Sequence, residues 1–139
     1  MQILTLYAVT AVVFLGLDAL MLTNVIKPLF ERHLGEWLYD SPRLGAAGAF
    51  YLFYVAGVLF FVSLPALADG GVVRALWTGA LLGAVAYGTY EFTNLATLSR
   101  WSWEMVAVDW LWGMALTGVS AAAGVWAVRA IFAYARANC

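Results

Sequence analysis

Four stretches of the chain are apolar for longer than the roughly 20 residues that an α-helix needs to cross a bilayer. They cover residues 3–26, 44–67, 72–98 and 105–132. Backbone groups inside lipid must be hydrogen-bonded within their own segment, so these stretches are expected to span as helices. The connections at 69–71 and 99–103 are short, which makes consecutive helices antiparallel neighbours. The sequence therefore predicts an all-α fold, an integral membrane four-helix bundle with up-down topology.

The connection between spans one and two is long enough to hold an element of its own. Pro28 fits the first turn of a helix, and Phe30, Leu34, Trp37 and Leu38 then recur at helical spacing among charged residues. This pattern predicts a short amphipathic helix that lies in the membrane interface between spans one and two. Two roles are open for it: a lid over a cavity or, as the more common case, a plain surface connector.

The composition is that of a chain embedded in a membrane. It is 65% hydrophobic and only 11% charged, against about 25% charged residues in a soluble domain. We therefore treat residues 1–139 as a single transmembrane domain. The net charge of −1 lacks the basic footprint of nucleic-acid binding, so no nucleic-acid partner is expected. The first apolar stretch is too long for a typical signal peptide and is expected to be retained.

The localisation follows from the same composition. Arg greatly outnumbers Lys, and Ala and Gly are abundant, which is typical of GC-rich bacterial genomes. We expect a multi-pass protein of the bacterial inner (cytoplasmic) membrane. Trp37, Trp101 and Trp103 fall at one predicted membrane face and Trp77 and Trp126 toward the other, as in interfacial aromatic belts.

Three carboxylates interrupt the apolar stretches: Asp18, Glu91 and Asp109. An acid at mid-membrane depth costs roughly 2.5–3.5 kcal/mol on insertion scales, so such residues usually face a bundle interior or a wet cavity. Counting from the ends of the predicted spans places all three about 9–12 Å inside the same face. No basic residue lies at this depth, so we expect at least one acid to be protonated at neutral pH. Arg43 or Arg100 could also reach inward from that face and pair with one acid.

Other polar and aromatic side chains fall at the same depth, which predicts a polar layer across all four helices. Its candidate ligand-binding residues are Asp18, Tyr51, Tyr54, Tyr87, Tyr90, Glu91, Asn94, Asp109 and Trp112. The other half of the bundle is predicted to be dry, with Gly79 and Gly83 used for packing inside the bundle rather than for homodimerisation. Alternatively, the polar groups only hydrogen-bond one another and fix the helix packing.

The sequence contains no motif for a common cofactor. His33 is the only histidine and lies in the surface segment, so haem ligation by paired histidines is excluded. Metal sites in four-helix proteins combine Glu with Glu-x-x-His motifs, and none occurs. There is also no phosphate loop, no dinucleotide glycine motif and no Gly-x-Ser-x-Gly elbow. We therefore expect no haem, nucleotide or metal site, and the sequence assigns neither a cofactor nor a catalytic residue.

Several short segments carry a family signature. They are Phe14-Leu-Gly-Leu-Asp18-Ala-Leu, Phe50-Tyr-Leu-Phe-Tyr54, Tyr87-Gly-Thr-Tyr-Glu-Phe-Thr-Asn-Leu-Ala-Thr-Leu98 and Val108-Asp-Trp-Leu-Trp-Gly113. Together, over about residues 1–132, they resemble the predicted bacterial multi-span membrane proteins of domain-of-unknown-function family 2177. In that family an Asp is usual at the position of Glu91 and a Trp is common at that of Met21. The first difference keeps the acid, and the second removes an aromatic ring. The resemblance implies a small multi-span membrane protein and no established activity.

Three functions are compatible with these features, and whether the protein is an enzyme stays open. The first is binding of a lipid or other small amphiphile in the polar layer. The second is a role as an accessory or assembly subunit of a larger respiratory or photosynthetic membrane complex. The third is a proton-coupled carrier, which would need dimerisation through an outward-facing Gly79 and Gly83. The expected partners are membrane lipids, together with either a membrane-protein complex or a second copy of the chain.

Overall fold

The computed structural model describes the backbone of residues 1–137 and the side chains of residues 1–134. In chain order the helices are α1 (Gln2–Met21), a π-helical turn (Leu22–Ile26), α2 (Lys27–Leu34), a 3-10 turn (Gly35–Trp37), α3 (Leu44–Val58), a π-helical turn (Leu59–Ser63), α4 (Leu64–Ala68), α5 (Gly71–Thr97) and α6 (Trp103–Ala137). Four segments are long and apolar enough to cross a membrane: span one, Gln2–Trp37; span two, Leu44–Ala68; span three, Gly71–Thr97; and span four, Trp103–Tyr134. The predicted all-α, four-span fold is confirmed.

Span one is longer than predicted because its helix does not end at Ile26. The chain passes from α1 through a π-helical turn into α2, and Leu22, Ile26 and Lys27 all keep right-handed helical dihedral angles. The predicted helix between spans one and two is therefore present as α2. It continues span one directly instead of forming a separate element.

Each π-helical turn lies immediately before a proline. The N–H of Lys27 donates to the carbonyl of Leu22 just before Pro28, and the N–H of Leu64 donates to that of Leu59 just before Pro65. Proline lacks an N–H, and its ring clashes with the carbonyl four residues earlier. A turn with i→i−5 hydrogen bonds makes room for the ring. Both helices therefore continue through a proline that would otherwise end them.

Spans three and four have the most extensive contact in the bundle. Gly79 lies against Gly118, and Gly83 lies against Gly113, so the two helices run antiparallel. A Cβ at Gly79 would lie 2.9 Å from the Cα of Gly118, so neither helix has space for a larger residue there. Small residues of this kind let backbones approach closely in membranes. Gly79 and Gly83 therefore serve internal packing as predicted, and they do not form the outward face that the carrier hypothesis needed.

Span two is packed unevenly along its length. Its first part, α3, contacts mainly α1, whereas the following π-helical turn and α4 pack against spans three and four. The side chains of Val62, Ala66, Ala75 and Val125 are fully or almost fully buried where the four spans meet. We call this part of the bundle the closed end. The opposite part, where α2 covers the connection at 98–102, is called the α2 end.

A second apolar cluster holds α2 in place at the α2 end. Leu29 and Leu34 pack against Trp101 and its neighbours at the start of span four. At the rim, the Nε2 atom of His33 lies 3.1 Å from the Oε2 atom of Glu104. These contacts fix α2 over the ends of spans three and four. The segment is therefore a packed cap, not a plain connector.

Candidate functional site

A cavity of about 550 Å³ lies at the α2 end, where α3 stands away from spans three and four. All four spans and α2 contribute to its lining. The lining residues are Asp18, Leu22, Ile26, Phe30, Phe50, Tyr51, Tyr54, Ala86, Tyr87, Tyr90 and Asp109. The uneven packing of span two therefore leaves a space within the size range of small-molecule sites.

Asp18 is the acid that span one contributes to this cavity. Its side chain is only 6% exposed. The Oδ1 atom accepts a hydrogen bond from Nε1 of Trp112 at 3.2 Å, and the hydroxyl of Tyr51 lies beside the carboxylate. Trp112 belongs to span four and Tyr51 to span two, so side chains from two different helices hold the orientation of Asp18.

Glu91 lies fully buried behind the cavity, and its two oxygens have different environments. Oε2 accepts a hydrogen bond of 2.8 Å from Nε1 of Trp101. Oε1 has no N–H or hydroxyl donor within the described residues, and the carboxyl group of Asp109 lies beside Glu91. Glu91 and Asp109 therefore form a buried pair of neighbouring carboxyl groups.

Trp101 corrects one of the predictions from sequence. It was expected in the interfacial aromatic belt, but its side chain is only 9% exposed, whereas that of Trp103 is 70% exposed. Its ring meets those of Phe30 and Tyr90 edge-on, with centroids 5.3 and 5.6 Å away. The connection between spans three and four folds back onto Glu91, because α2 covers it from outside. Trp101 is thus a buried partner of the acid pair.

Tyrosine rings make up much of the aromatic lining and connect spans two, three and four. The hydroxyl of Tyr54 lies 3.1 Å from Oγ1 of Thr117. The rings of Tyr54 and Tyr87 meet edge-on with their centroids 6.4 Å apart. The Tyr87 ring occupies space that only a glycine leaves open, since a Cβ at Gly113 would overlap it. These contacts position the aromatic rings between α3 and the pair formed by spans three and four.

The structure places six of the nine predicted site residues in the cavity lining: Asp18, Tyr51, Tyr54, Tyr87, Tyr90 and Asp109. The other three stand behind the lining, and each contacts one of the six. Glu91 lies beside Asp109, Asn94 lies beside Tyr90, and Trp112 donates to Asp18. All nine thus belong to one connected region, although three of them do not face the cavity.

The expected pairing of an acid with an arginine from the membrane face is wrong. The guanidinium of Arg43 lies over the ring of Tyr39 at 4.7 Å, and that of Arg100 lies over the ring of Trp37 at 5.0 Å. Cation–π contacts at the surface satisfy both groups without the cost of bringing them inward. Among the described residues that line the cavity, none is Lys, Arg or His.

The cavity is closed on the side of its acids and open between spans two and three. Asp18 and Asp109 are at most 9% exposed, whereas Phe50 and Tyr90 are 61% and 53% exposed. Phe50 lies on span two and Tyr90 on span three, next to the gap between these helices. When the spans cross a membrane, this opening faces the lipid. A molecule could therefore enter sideways from the bilayer.

Several lining residues have no counterpart among the sequence predictions. Leu22 and Ile26 belong to the π-helical turn of span one, and Phe30 belongs to α2. The signal that could have found them is Pro28, because a proline after a long apolar run can mark a distorted helix as well as a boundary. π-helical turns occur frequently at functional sites. No comparable signal marks Trp101.

Chemically, the site offers acids, phenol groups and aromatic rings in a partly enclosed space. It can accept hydrogen bonds, stabilise positive charge and hold an apolar chain against Leu22, Ile26 and Phe50. Its buried carboxyl groups lack a basic partner within the described lining, which is costly for charged groups in an apolar setting. The space is thus best suited to a ligand with both polar and apolar parts.

The chain matches the family model described as "Predicted membrane protein (DUF2177)" over residues 3–126. The match covers most of the sequence, so the chain belongs to this family, as its motifs indicate. It is accordingly a multi-pass membrane protein with four candidate spans. Comparisons with curated proteins and with solved structures gave no match.

Proposed function

We propose that this member of a family of predicted membrane proteins binds a lipid or other small amphiphile in the cavity at the α2 end. The membrane concerned is the bacterial inner membrane. One observation carries the proposal: a cavity of about 550 Å³ has buried acids at one side and an opening between two spans at the other. Pockets that hold small molecules have volumes of about 300–1,000 Å³.

The distribution of residues supports an amphiphile over a wholly apolar or wholly polar ligand. Asp18, Tyr51 and Asp109 supply polar atoms on the buried side, whereas Phe50 supplies apolar surface toward the opening and Leu22 adds apolar surface to the lining. A polar head would lie among the acids and phenol groups, and an acyl or prenyl chain would leave through the gap. Burial of each methylene group of the chain that enters the cavity contributes about 0.8 kcal/mol.

The test is lipid mass spectrometry on protein extracted together with its surrounding membrane. Ala86 lines the cavity, so Ala86→Trp fills part of its volume. The matched control is Ala115→Trp on an exposed face of span four. We expect wild type and Ala115→Trp to carry a molecule enriched over the bulk lipid, and Ala86→Trp to lose it. Equal lipid profiles for all three proteins would contradict the proposal.

A second candidate is the accessory subunit of a larger membrane complex. The observation that favours it is a set of uncovered glycines: no other part of the described chain lies within 4 Å of a Cβ position at Gly16, Gly45 or Gly48. Exposed glycines on spanning helices allow another helix to approach closely. Native electrophoresis in mild detergent tests this role. Migration in a larger complex that Gly48→Leu dissociates supports it, and migration as a free monomer alone counts against it.

A further inference from the structure

We infer that the head group bound in the cavity is a cation, of the ammonium or alkylammonium class. This inference rests on the proposed function and adds the chemistry of the ligand. It follows from three features: the acids at the cavity, the aromatic rings that line it, and the contacts that basic side chains make outside it.

The carboxyl groups around the cavity favour a cation. Asp18 and Asp109 line the cavity, and Glu91 lies directly behind Asp109. Three carboxyl groups are thus gathered at a cavity in which no described lining residue is Lys, Arg or His. A cation that enters the cavity would form charge-assisted contacts in a setting of low dielectric constant, where such contacts are strongest.

Six basic side chains of the described residues have partners outside the cavity. The ion pairs are Lys27 with Glu31, Arg32 and His33 with Glu104, and Arg74 with Asp69. Arg43 and Arg100 lie over aromatic rings at the membrane face. Because none of the described lining residues is Lys, Arg or His, a positive charge beside the acids would come from the ligand.

The aromatic lining of the cavity also favours a cation. Four tyrosines line the same cavity as the acids: Tyr51, Tyr54, Tyr87 and Tyr90. Rings arranged around a space attract a cation through their electron-rich faces, and this is how proteins recognise quaternary ammonium groups. An anionic head would face two carboxyl groups instead. A neutral hydroxyl head could accept or donate a hydrogen bond, but it would not compensate the negative charge of a carboxylate.

The experiment compares single-chain amphiphiles that share a dodecyl tail and differ in the head. The probes are dodecyltrimethylammonium, dodecylammonium, dodecanol and dodecyl phosphate, titrated calorimetrically below their micellar concentrations into full-length protein in a neutral maltoside detergent. Specific binding is the part of the signal that Ala86→Trp removes. We expect both cationic probes to bind at least about tenfold more tightly than dodecanol, the ratio expected for one charge-assisted contact. Dodecyl phosphate is expected to bind most weakly.

Variants assign the preference to the acids. Asp18→Asn and Asp109→Asn should bring the ratio of cationic to neutral affinity toward one, whereas Asp40→Asn, on an exposed surface segment, should leave it unchanged. If an Asn variant does not fold, the comparison of heads in wild type still decides the inference. A stronger response to the trimethylammonium head indicates the tyrosine rings as the main contact, and a stronger response to the primary ammonium head indicates the carboxylates.

The outcomes separate this inference from the proposed function. Equal specific binding of dodecanol and the cationic probes would overturn the cationic head and leave the amphiphile site standing. Tighter binding of dodecyl phosphate would do the same. If no probe gives a signal that Ala86→Trp removes, both the inference and the proposed function fail.

Discussion

At the closed end of the bundle, span two lies against spans three and four, whereas at the α2 end it stands away from them. The same helix therefore has two environments. Val62 and Ala66 are fully or almost fully buried at the closed end, while Phe50 on α3 is 61% exposed beside the cavity. Both parts of span two are strongly apolar, so hydrophobicity does not distinguish the two ends. They differ in the size and chemistry of the side chains between the helices.

Small residues close one end, and large aromatic residues with acids keep the other open. Gly79 and Gly83 bring spans three and four into backbone contact. Toward the α2 end, Tyr54 and Tyr87 stand between span two and that pair. Hydrophobicity places these helices in the bilayer, but packing volume decides where a cavity remains. The comparison can be tested by changing residues at each end.

The largest effect is expected from enlarging a glycine between spans three and four. A Cβ at Gly83 would lie 2.9 Å from the carbonyl carbon of Gly113 and 3.0 Å from the Cα of Met114. Gly83→Leu should therefore lower the free energy of unfolding by about 3 kcal/mol or more, because backbone atoms cannot move aside as a side chain can. Unfolding titration in detergent measures it.

The matched control for this substitution is Gly16→Leu. Gly16 lies on an exposed face of span one. A Cβ added there would have no atom within 4 Å among the described residues outside its own helix. Its replacement should change the unfolding free energy by no more than about 0.5 kcal/mol. Similar losses for both variants would mean that close contact of spans three and four does not stabilise the bundle.

The second effect concerns the polar network at the α2 end. Trp101→Phe keeps an aromatic ring beside Phe30 but removes the donor to Oε2 of Glu91. Because Oε1 already lacks an N–H or hydroxyl donor within the described residues, the variant should be destabilised by about 1–3 kcal/mol. Thermal unfolding of the purified protein would show it. Trp103→Phe, at an exposed tryptophan, serves as the control, and equal effects at both positions would contradict the importance of the Glu91 bond.

Sequence patterns predicted the fold well because the bilayer imposes strong requirements. Helix length, the need for internal backbone hydrogen bonds and short connections leave few architectures open. The common depth of Asp18, Glu91 and Asp109 also follows from counting along helices of constant rise. For this reason the structure brings all three acids into one connected region.

Rotations and distortions of the helices were harder to predict. A depth does not say which way a side chain points, so Glu91 and Trp112 were not distinguished from the residues that face the cavity. The continuation of span one past Ile26 depends on a π-helical turn before Pro28, and a proline is usually read as a helix boundary. The burial of Trp101 depends on α2 lying over it, which is a contact between segments distant in sequence.

A smaller effect is expected at the boundary between the two ends. The hydroxyl of Tyr54 and Oγ1 of Thr117 are 3.1 Å apart and join span two to span four. Hydrogen bonds between membrane helices contribute about 0.6 kcal/mol on average. Tyr54→Phe and Thr117→Val should each destabilise by about this amount, and the double variant should cost less than the sum. Full additivity in the double-mutant cycle would show that the bond does not contribute.

The smallest effect, and one of opposite sign, is expected at the closed end. The hydroxyl of Ser120 is fully buried and has no hydrogen-bond partner among the described protein groups. A buried hydroxyl without a partner is unfavourable, so its removal should be neutral or stabilising. Ser120→Ala should therefore raise the unfolding free energy by no more than about 0.5 kcal/mol, measured by the same titration as for Gly83→Leu.

Whether Ser120→Ala stabilises or destabilises the protein shows whether the two ends differ in access to water as well as in packing. Thr117, one turn earlier on span four, has a partner in Tyr54, so Thr117→Val and Ser120→Ala remove a bonded and an unbonded hydroxyl from the same helix. Opposite signs would mean that the closed end is dry and that polar side chains stabilise only where they find protein partners. A loss of about 1 kcal/mol or more in Ser120→Ala would instead mean that this hydroxyl is hydrogen-bonded to water. Water would then reach the closed end, and the acids at the α2 end would lie at the mouth of a longer polar path.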